Sequence, residues 1–392
     1  MRRLLPLALL VAVAAPASAC LWDYDTLVEE QRGLPSLEDA ILGRYEVHTR
    51  EYYERRRDRL EAKAAAGSLD EGEHDDLAVA HERLGDVERA IALMRLKEAR
   101  WPGRYTTAAN LGTFLAHAGR LEEGLAHLEE AIRINPDAHF GRERYQVTAI
   151  RFAIEAARDP TYAARHMMLG PTMEVALGFD LTGEHPSLPH RSLSRVLAAY
   201  PGLREDVYSG IVGMLKLGGD PRAPWHEFYY ALGEVLACGG WETVWSGRER
   251  LPDAQRLAWM AFQRAREAGS PRGDAIARYQ RVLSPREGSA AHDYTTGRRR
   301  AEAWVDAYQA FERDLLARGE DASDPARFEP FYAAHGRPDR LVYPRRARPT
   351  DVAHWLSTPA VAYTAAMAAI VLVAALYVAL RVRAGRRRAP TK

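Results

Sequence analysis

Apolar and small side chains fall three and four residues apart through most of this chain, and no alternating run is long enough to specify a strand. The pattern predicts an all-α body. One longer interval is superimposed on it: Gly85 recurs as Gly119 and Pro102 as Pro136, each 34 residues on. Leu77-Ala78, Ala90 and Met94 recur in the same register as Leu111-Gly112, Gly124 and Leu128. Repetition at this length predicts two stacked helical hairpins. In each, a glycine ends the first helix in a conformation that other residues adopt at a cost. Ala78 and Gly112 leave room for a partner helix, and the prolines stop the second helix. The first copy departs from the second at Lys97, which stands where the second has Ala131.

Residues 71–138 resemble two tetratricopeptide repeats, and Tyr105 to Ala138 match that family better than the first copy. Ser36-Leu-Glu-Asp39 predicts the start of a helix running to about Ala66, so 20–70 forms an N-terminal helical cap. Further hairpins are expected over 139–320, with helices near Arg142 to Ala157, Tyr162 to Leu177, Leu193 to Ala199, Leu203 to Leu217 and Arg298 to Arg318. Leu232-Gly233 and Gly240 repeat the spacing of Leu111-Gly112 and Gly119, which makes 225–271 a degenerate third repeat. Its second helix then carries Ala258, Phe262 and Ala265; alternatively that helix pairs with Asp274 to Leu283. Ser284 to Thr296 is expected as a loop, and 321–355, with five prolines, as a Pro/Arg-rich extended stem.

The resemblance implies a helical-hairpin solenoid of tetratricopeptide type, with a concave groove that holds an extended peptide or a partner helix. On this chain the groove would present Asp75, Val79, Glu82 and Arg83 from the first unit and Thr106, Asn110, Thr113 and His117 from the second. The Asn110 amide can pair with a peptide backbone through both its donor and its acceptor, or it can satisfy a local helix contact. Family members that clamp a C-terminal carboxylate use lysine, arginine and asparagine across several repeats. Asp75 and Val79 do not fit that subtype, and Asp75 and Glu82 beside Arg83 suit a neutral or mixed-charge ligand better.

The chain ends assign an address. Met1-Arg-Arg, the apolar run Leu4 to Ala15 and Ala17-Ser-Ala19 have the layout of a signal peptide over 1–19. Pro359 to Leu380 contains no charge over 22 residues and, at about 1.5 Å per residue, is long enough to cross a bilayer. Residues 356–381 are therefore expected as a transmembrane helix, with 382–392 as a basic cytoplasmic tail. The body then lies outside the cytoplasm, in a bacterial envelope if the fifty arginines beside four lysines reflect a GC-rich genome. Ala362 and Ala366 have the small-residue spacing of helix pairs, so the span offers a route to a homodimer. Cys20 admits ordinary signal cleavage or lipidation, and Cys238 offers it a disulfide partner in an oxidising compartment.

Charge and motif content narrow the function. With eight basic residues of the leader and tail set aside, the body carries net −7, which argues against a nucleic-acid platform. The Arg55-Arg56-Arg57 run is expected as the solvated side of a helix. His74 and His81, with Asp75 and Asp76 between them, are two turns apart on one helix and are expected as solvated helix residues rather than a metal cluster, and Glu184, His185 and His190 have no fixed spacing. Phosphate loops, nucleophile elbows and HExxH are absent, so no cofactor, metal or catalytic residue is assigned. The expected function is a membrane-anchored adaptor that binds a protein or peptide partner. Two rivals remain: an envelope enzyme with its site in 161–251, where His166, His185, His190 and His226 accumulate, and a structural envelope-assembly subunit.

Overall fold

Gly85 and Gly119 close two helix ends in the same way. In the computed structural model their φ angles are 93° and 78°. Gly85 and Asp86 donate to the carbonyls of Glu82 and His81, and Gly119 and Arg120 to those of Ala116 and Leu115. Each glycine thus satisfies carbonyls that a helix end leaves without partners. The structure describes residues 21–136, 142–159, 161–169, 203–217, 225–239, 254–283 and 289–341. Among these the architecture is all-helical, with one isolated antiparallel bridge between Pro35 and Arg340. The segments expected as a signal peptide (1–19), a span (356–381) and a tail (382–392) lie outside the described residues, as do Cys20, Glu184, His185, His190 and the Cys238 side chain. No helix of the described residues is long and apolar enough to cross a membrane.

Three helices precede the hairpins: α1 (Tyr24–Arg32), α2 (Leu37–Leu42) and α3 (Arg50–Ala65). The first hairpin pairs α4 (Glu71–Arg83) with α5 (Val87–Arg100), and the second pairs α6 (Tyr105–His117) with α7 (Leu121–Ile134). Asp70 starts α4 with a full capping box, its side chain accepting from Glu73 N–H while the Glu73 carboxylate accepts from Asp70 N–H. Leu77, Ala78, Met94, Leu111 and Phe114 bury a shared core between the hairpins. α8 (Glu143–Arg158) adds the next layer on α7 through Val147, Ile150 and Ile154.

The second core gathers α9 (Tyr162–Arg165), α10 (Leu203–Leu217), α11 (His226–Gly239), α12 (Ala254–Glu267) and α13 (Gly273–Leu283). Both partners expected for residues 254–267 are present, since α12 packs on α11 and on α13. Its approach to α11 is close at a glycine, as in the second hairpin, but the nearest atoms are those of a side chain, whereas in the second hairpin they include backbone. A Cβ on Gly112 would lie 2.7 Å from Leu128 Cγ, and one on Gly233 would lie 2.9 Å from the Phe262 ring.

Three expectations are corrected. The helix expected from Ser36 to Ala66 is broken, because Gly43 ends α2 at φ 76° and Thr49 caps a new start at α3. Residues 44–49 between them turn Tyr45, Glu46 and Thr49 inward. The loop expected over 284–296 is helical from Ser289, where α14 (Ser289–Ala317) begins. The stem expected from 321 is folded as far as 341: a 3₁₀ turn, Pro325–Phe328, leads into α15 (Glu329–His335). Pro325 and Pro330 sit at helix starts, where a missing N–H costs nothing. Phe328, Phe331 and Tyr332 then bury against Trp304 and Tyr308 of α14. Ser36 N–H donates to Asp339 O, and Leu341 N–H to Leu34 O, tying this end back to α2.

Candidate functional site

Of the groove residues inferred from the sequence, Asp75, Glu82, Thr106, Asn110, Thr113 and His117 are tied to one another or to neighbouring helices, and most of their polar atoms are already paired. Lys97, fully buried, reaches across from α5 and ion-pairs with Asp75 at 2.6 Å while donating to Thr106 Oγ1 at 2.9 Å. Burial pushes the Asp75 carboxyl up to about 6 against the pull of Lys97. His117 and Glu82 join the two helices at 2.7 Å, and Gln146 of α8 donates to Thr113 at 2.7 Å. Burial opposes ionisation of Glu82, but His117 outweighs it and holds the carboxyl below its usual range. Val79 lies in the hairpin core. Arg83 turns away from the hairpins and donates to Leu217 O at 2.7 Å, where a cation complements the C-terminal end of α10.

Asn110 uses both ends of its amide on a peptide backbone, and that backbone belongs to this chain. Trp22 N–H donates to Asn110 Oδ1 at 2.8 Å, and Asn110 Nδ2 donates to Trp22 O at 2.9 Å, with a longer bond of 3.3 Å to Asp75. The neighbouring residues hold the segment at every step. Leu21 enters the hairpin core, the Trp22 ring meets Tyr105 edge-on at 5.6 Å, and Tyr24 N–H donates to Asp76 at 2.9 Å. Arg56 of α3 then ties the segment to α4, contacting Asp23 at 3.1 Å, Asp76 at 2.7 Å and also Asp25. The expectation that Arg55 to Arg57 form a solvated run is therefore corrected at Arg56, which is buried. The available signal was Tyr52 and Arg56, one turn apart on one face, together with the spaced acids Asp23 and Asp25 that they would meet.

Beyond Arg83 the face opens into a cavity of about 480 Å³ that sequence reasoning missed. Asp23, Asp25 and Thr26 form part of its wall, joined by residues 46–51 and Tyr53, by Lys216 and Leu217 of α10, and by Gln309 and Arg313 of α14. The residues come from five separate stretches of chain, so no spacing announces them. Glu46 anchors the wall: Lys216 lies 3.3 Å away, and Arg340 and the Tyr332 hydroxyl each 3.1 Å. Burial raises the Glu46 carboxyl, but the two cations outweigh it and bring it down to about 2. His48 stacks on Tyr52 at 3.9 Å and lies 2.5 Å from Glu312, whose other oxygen accepts from Thr49 N–H at 2.6 Å.

Part of the histidine-rich region 161–251 also contains a polar cluster. Arg272 meets Glu227 at 2.7 Å, donates to His166 O at 2.6 Å and lies over the Tyr230 ring at 4.3 Å. Beside them Glu234 is buried, and desolvation pushes its carboxyl up to about 8 despite Arg272. Among the described residues no group of three potential ligands is placed to hold a metal. His74 instead meets the Asp70 carbonyl at 2.7 Å, and His81 meets Glu61 at 3.1 Å. Comparison with family models, curated proteins and solved structures finds no match to this chain.

Proposed function

We propose that this chain is a binding scaffold whose α4/α6 face grips an extended polypeptide, and that residues 21–25 occupy that face as a built-in ligand. The supporting observation is the Asn110 amide, which pairs with both backbone groups of Trp22 across 88 positions of sequence. Backbone pairing of this kind is indifferent to side chain, while the Trp22–Tyr105 contact and the Arg56 ion pairs add selectivity for an aromatic followed by spaced acids. A partner segment of that composition competes with residues 21–25, so the scaffold engages it only as its own segment is displaced. The resemblance to tetratricopeptide repeats supports a role in partner recruitment rather than catalysis. The leader and the apolar stretch 356–381 support a site outside the cytoplasm, held at a membrane.

The test uses a fluorescent peptide of sequence Leu-Trp-Asp-Tyr-Asp, copied from residues 21–25, in anisotropy titrations. The native chain should bind it poorly because the face is filled. A chain with Trp22, Asp23 and Asp25 changed to alanine should bind it at least tenfold more tightly, and adding Asn110→Ala should abolish that gain. Equal binding by the native and triple-alanine chains overturns the reading.

A further inference from the structure

Every acid in the interior of the cavity beyond Arg83 is met by a cation. Asp23 and Asp25 are held from behind by Arg56, which Asp76 shares, so acids outnumber cations on that wall, whereas Glu46 alone is held by both Lys216 and Arg340. At the mouth, Arg313 and Glu51 pair at 3.1 Å. A ligand carrying a single charge would meet its complement on one wall and like charge on the other, where its desolvation is not offset. A molecule carrying both signs can instead align with the charges already there. Two groups on the lining remain for it: the Arg83 guanidinium, which donates to Leu217 O at 2.7 Å and whose buried Nε lies 3.8 Å from Glu82 Oε2, and the Tyr53 hydroxyl, which makes no hydrogen bond among the described residues. The ammonium partners, Asp23 and Asp25, belong to the segment that fills the α4/α6 face, whereas Arg83 ends α4 and Lys216 lies in the last turn of α10.

We propose that this cavity binds a small zwitterion of dipeptide size, with its carboxylate on Arg83 and Tyr53 and its ammonium on the Asp23–Asp25 wall. Its volume of about 480 Å³ falls within the range of small-molecule sites. Because one wall is the N-terminal segment, the ligand binds only the state in which that segment is docked. By linkage it holds residues 21–27 in place. The site is thus an effector site for the scaffold as well as a pocket.

The test is calorimetric titration of the full chain in detergent with alanylalanine, with N-acetyl-alanylalanine as the anion of similar size and alanylalanine amide as the cation. Amide hydrogen exchange is followed over residues 22–26. The zwitterion should bind at least tenfold more tightly than either charged analogue and slow exchange in that segment by a similar factor at saturation. Tyr53→Phe, which removes one hydroxyl without altering packing, should weaken binding about tenfold, and Arg83→Gln should weaken it further. Absence of binding, equal binding of the three probes, unchanged affinity in Tyr53→Phe, or binding that leaves residues 22–26 unprotected overturns the proposal.

Discussion

Replacing Lys97 by alanine would restore the residue that the 34-residue register places there, yet it should destabilise the protein. Lys97 is fully buried against Asp75, so truncation leaves a carboxylate in the core without its cation. The expected loss is about 3 kcal/mol in urea unfolding. Removing Asp75 as well, in Lys97→Ala with Asp75→Ala, should recover most of that loss, because the pair costs more when broken than when absent. Asn110→Ala removes two bonds to Trp22 and should cost about 2 kcal/mol, with the Trp22 amide losing its exchange protection while helix content stays unchanged. The capacity of Asn110 to clamp a backbone was legible from its chemistry and position. The identity of that backbone was not, because Trp22 is 88 residues away and no local pattern encodes the pairing.

At the level of helices, periodic small residues were the most readable feature, because two backbones that touch leave room for nothing larger. A Cβ added at Gly112 would lie 2.8 Å from the carbonyl oxygen of Gly124 and 2.7 Å from Leu128. The backbone contact cannot be relieved by a rotamer change. At Gly233 the atoms met are those of the Phe262 ring, at 2.9 Å, and a side chain can shift. Gly112→Ala should therefore lower stability by about 3 kcal/mol and Gly233→Ala by about half as much, measured by thermal unfolding. Prolines were the least reliable guide. Pro325 and Pro330 suggested an extended stem, but each occupies a helix start, and burial of Phe328 and Phe331 outweighs the local preference. Gly43 was equally ambiguous: a helix-spaced apolar pattern on both sides concealed the turn that carries Tyr45 and Glu46 inward.

Across the whole molecule, Glu46 joins parts that the sequence gives no reason to connect: Lys216 at the end of α10, Tyr332 in α15 and Arg340 beyond it. None of these contacts spans fewer than 170 residues, so they are visible only once the chain has closed on itself. They give the fold a defined acid sensitivity. The Glu46 carboxyl titrates at about 2 in the folded protein against 4.5 for the ordinary side chain, so between these pH values the unfolded chain binds more protons. The contribution is complete above about pH 4.5 and is lost as the pH falls toward 2. At about 1.4 kcal/mol per unit, it amounts to roughly 3 kcal/mol. Unfolding free energies measured from pH 6 to pH 2 should therefore fall more steeply for the native protein than for Glu46→Gln, which lacks the titrating group. The stability gap between the two proteins should be widest near pH 6 and narrow by about 3 kcal/mol at pH 2. A gap that stayed constant across that range would mean that Lys216 and Arg340 do not hold Glu46 ionised, and with it the closure they make between α10, α15 and residues 44–49 would lose its electrostatic basis.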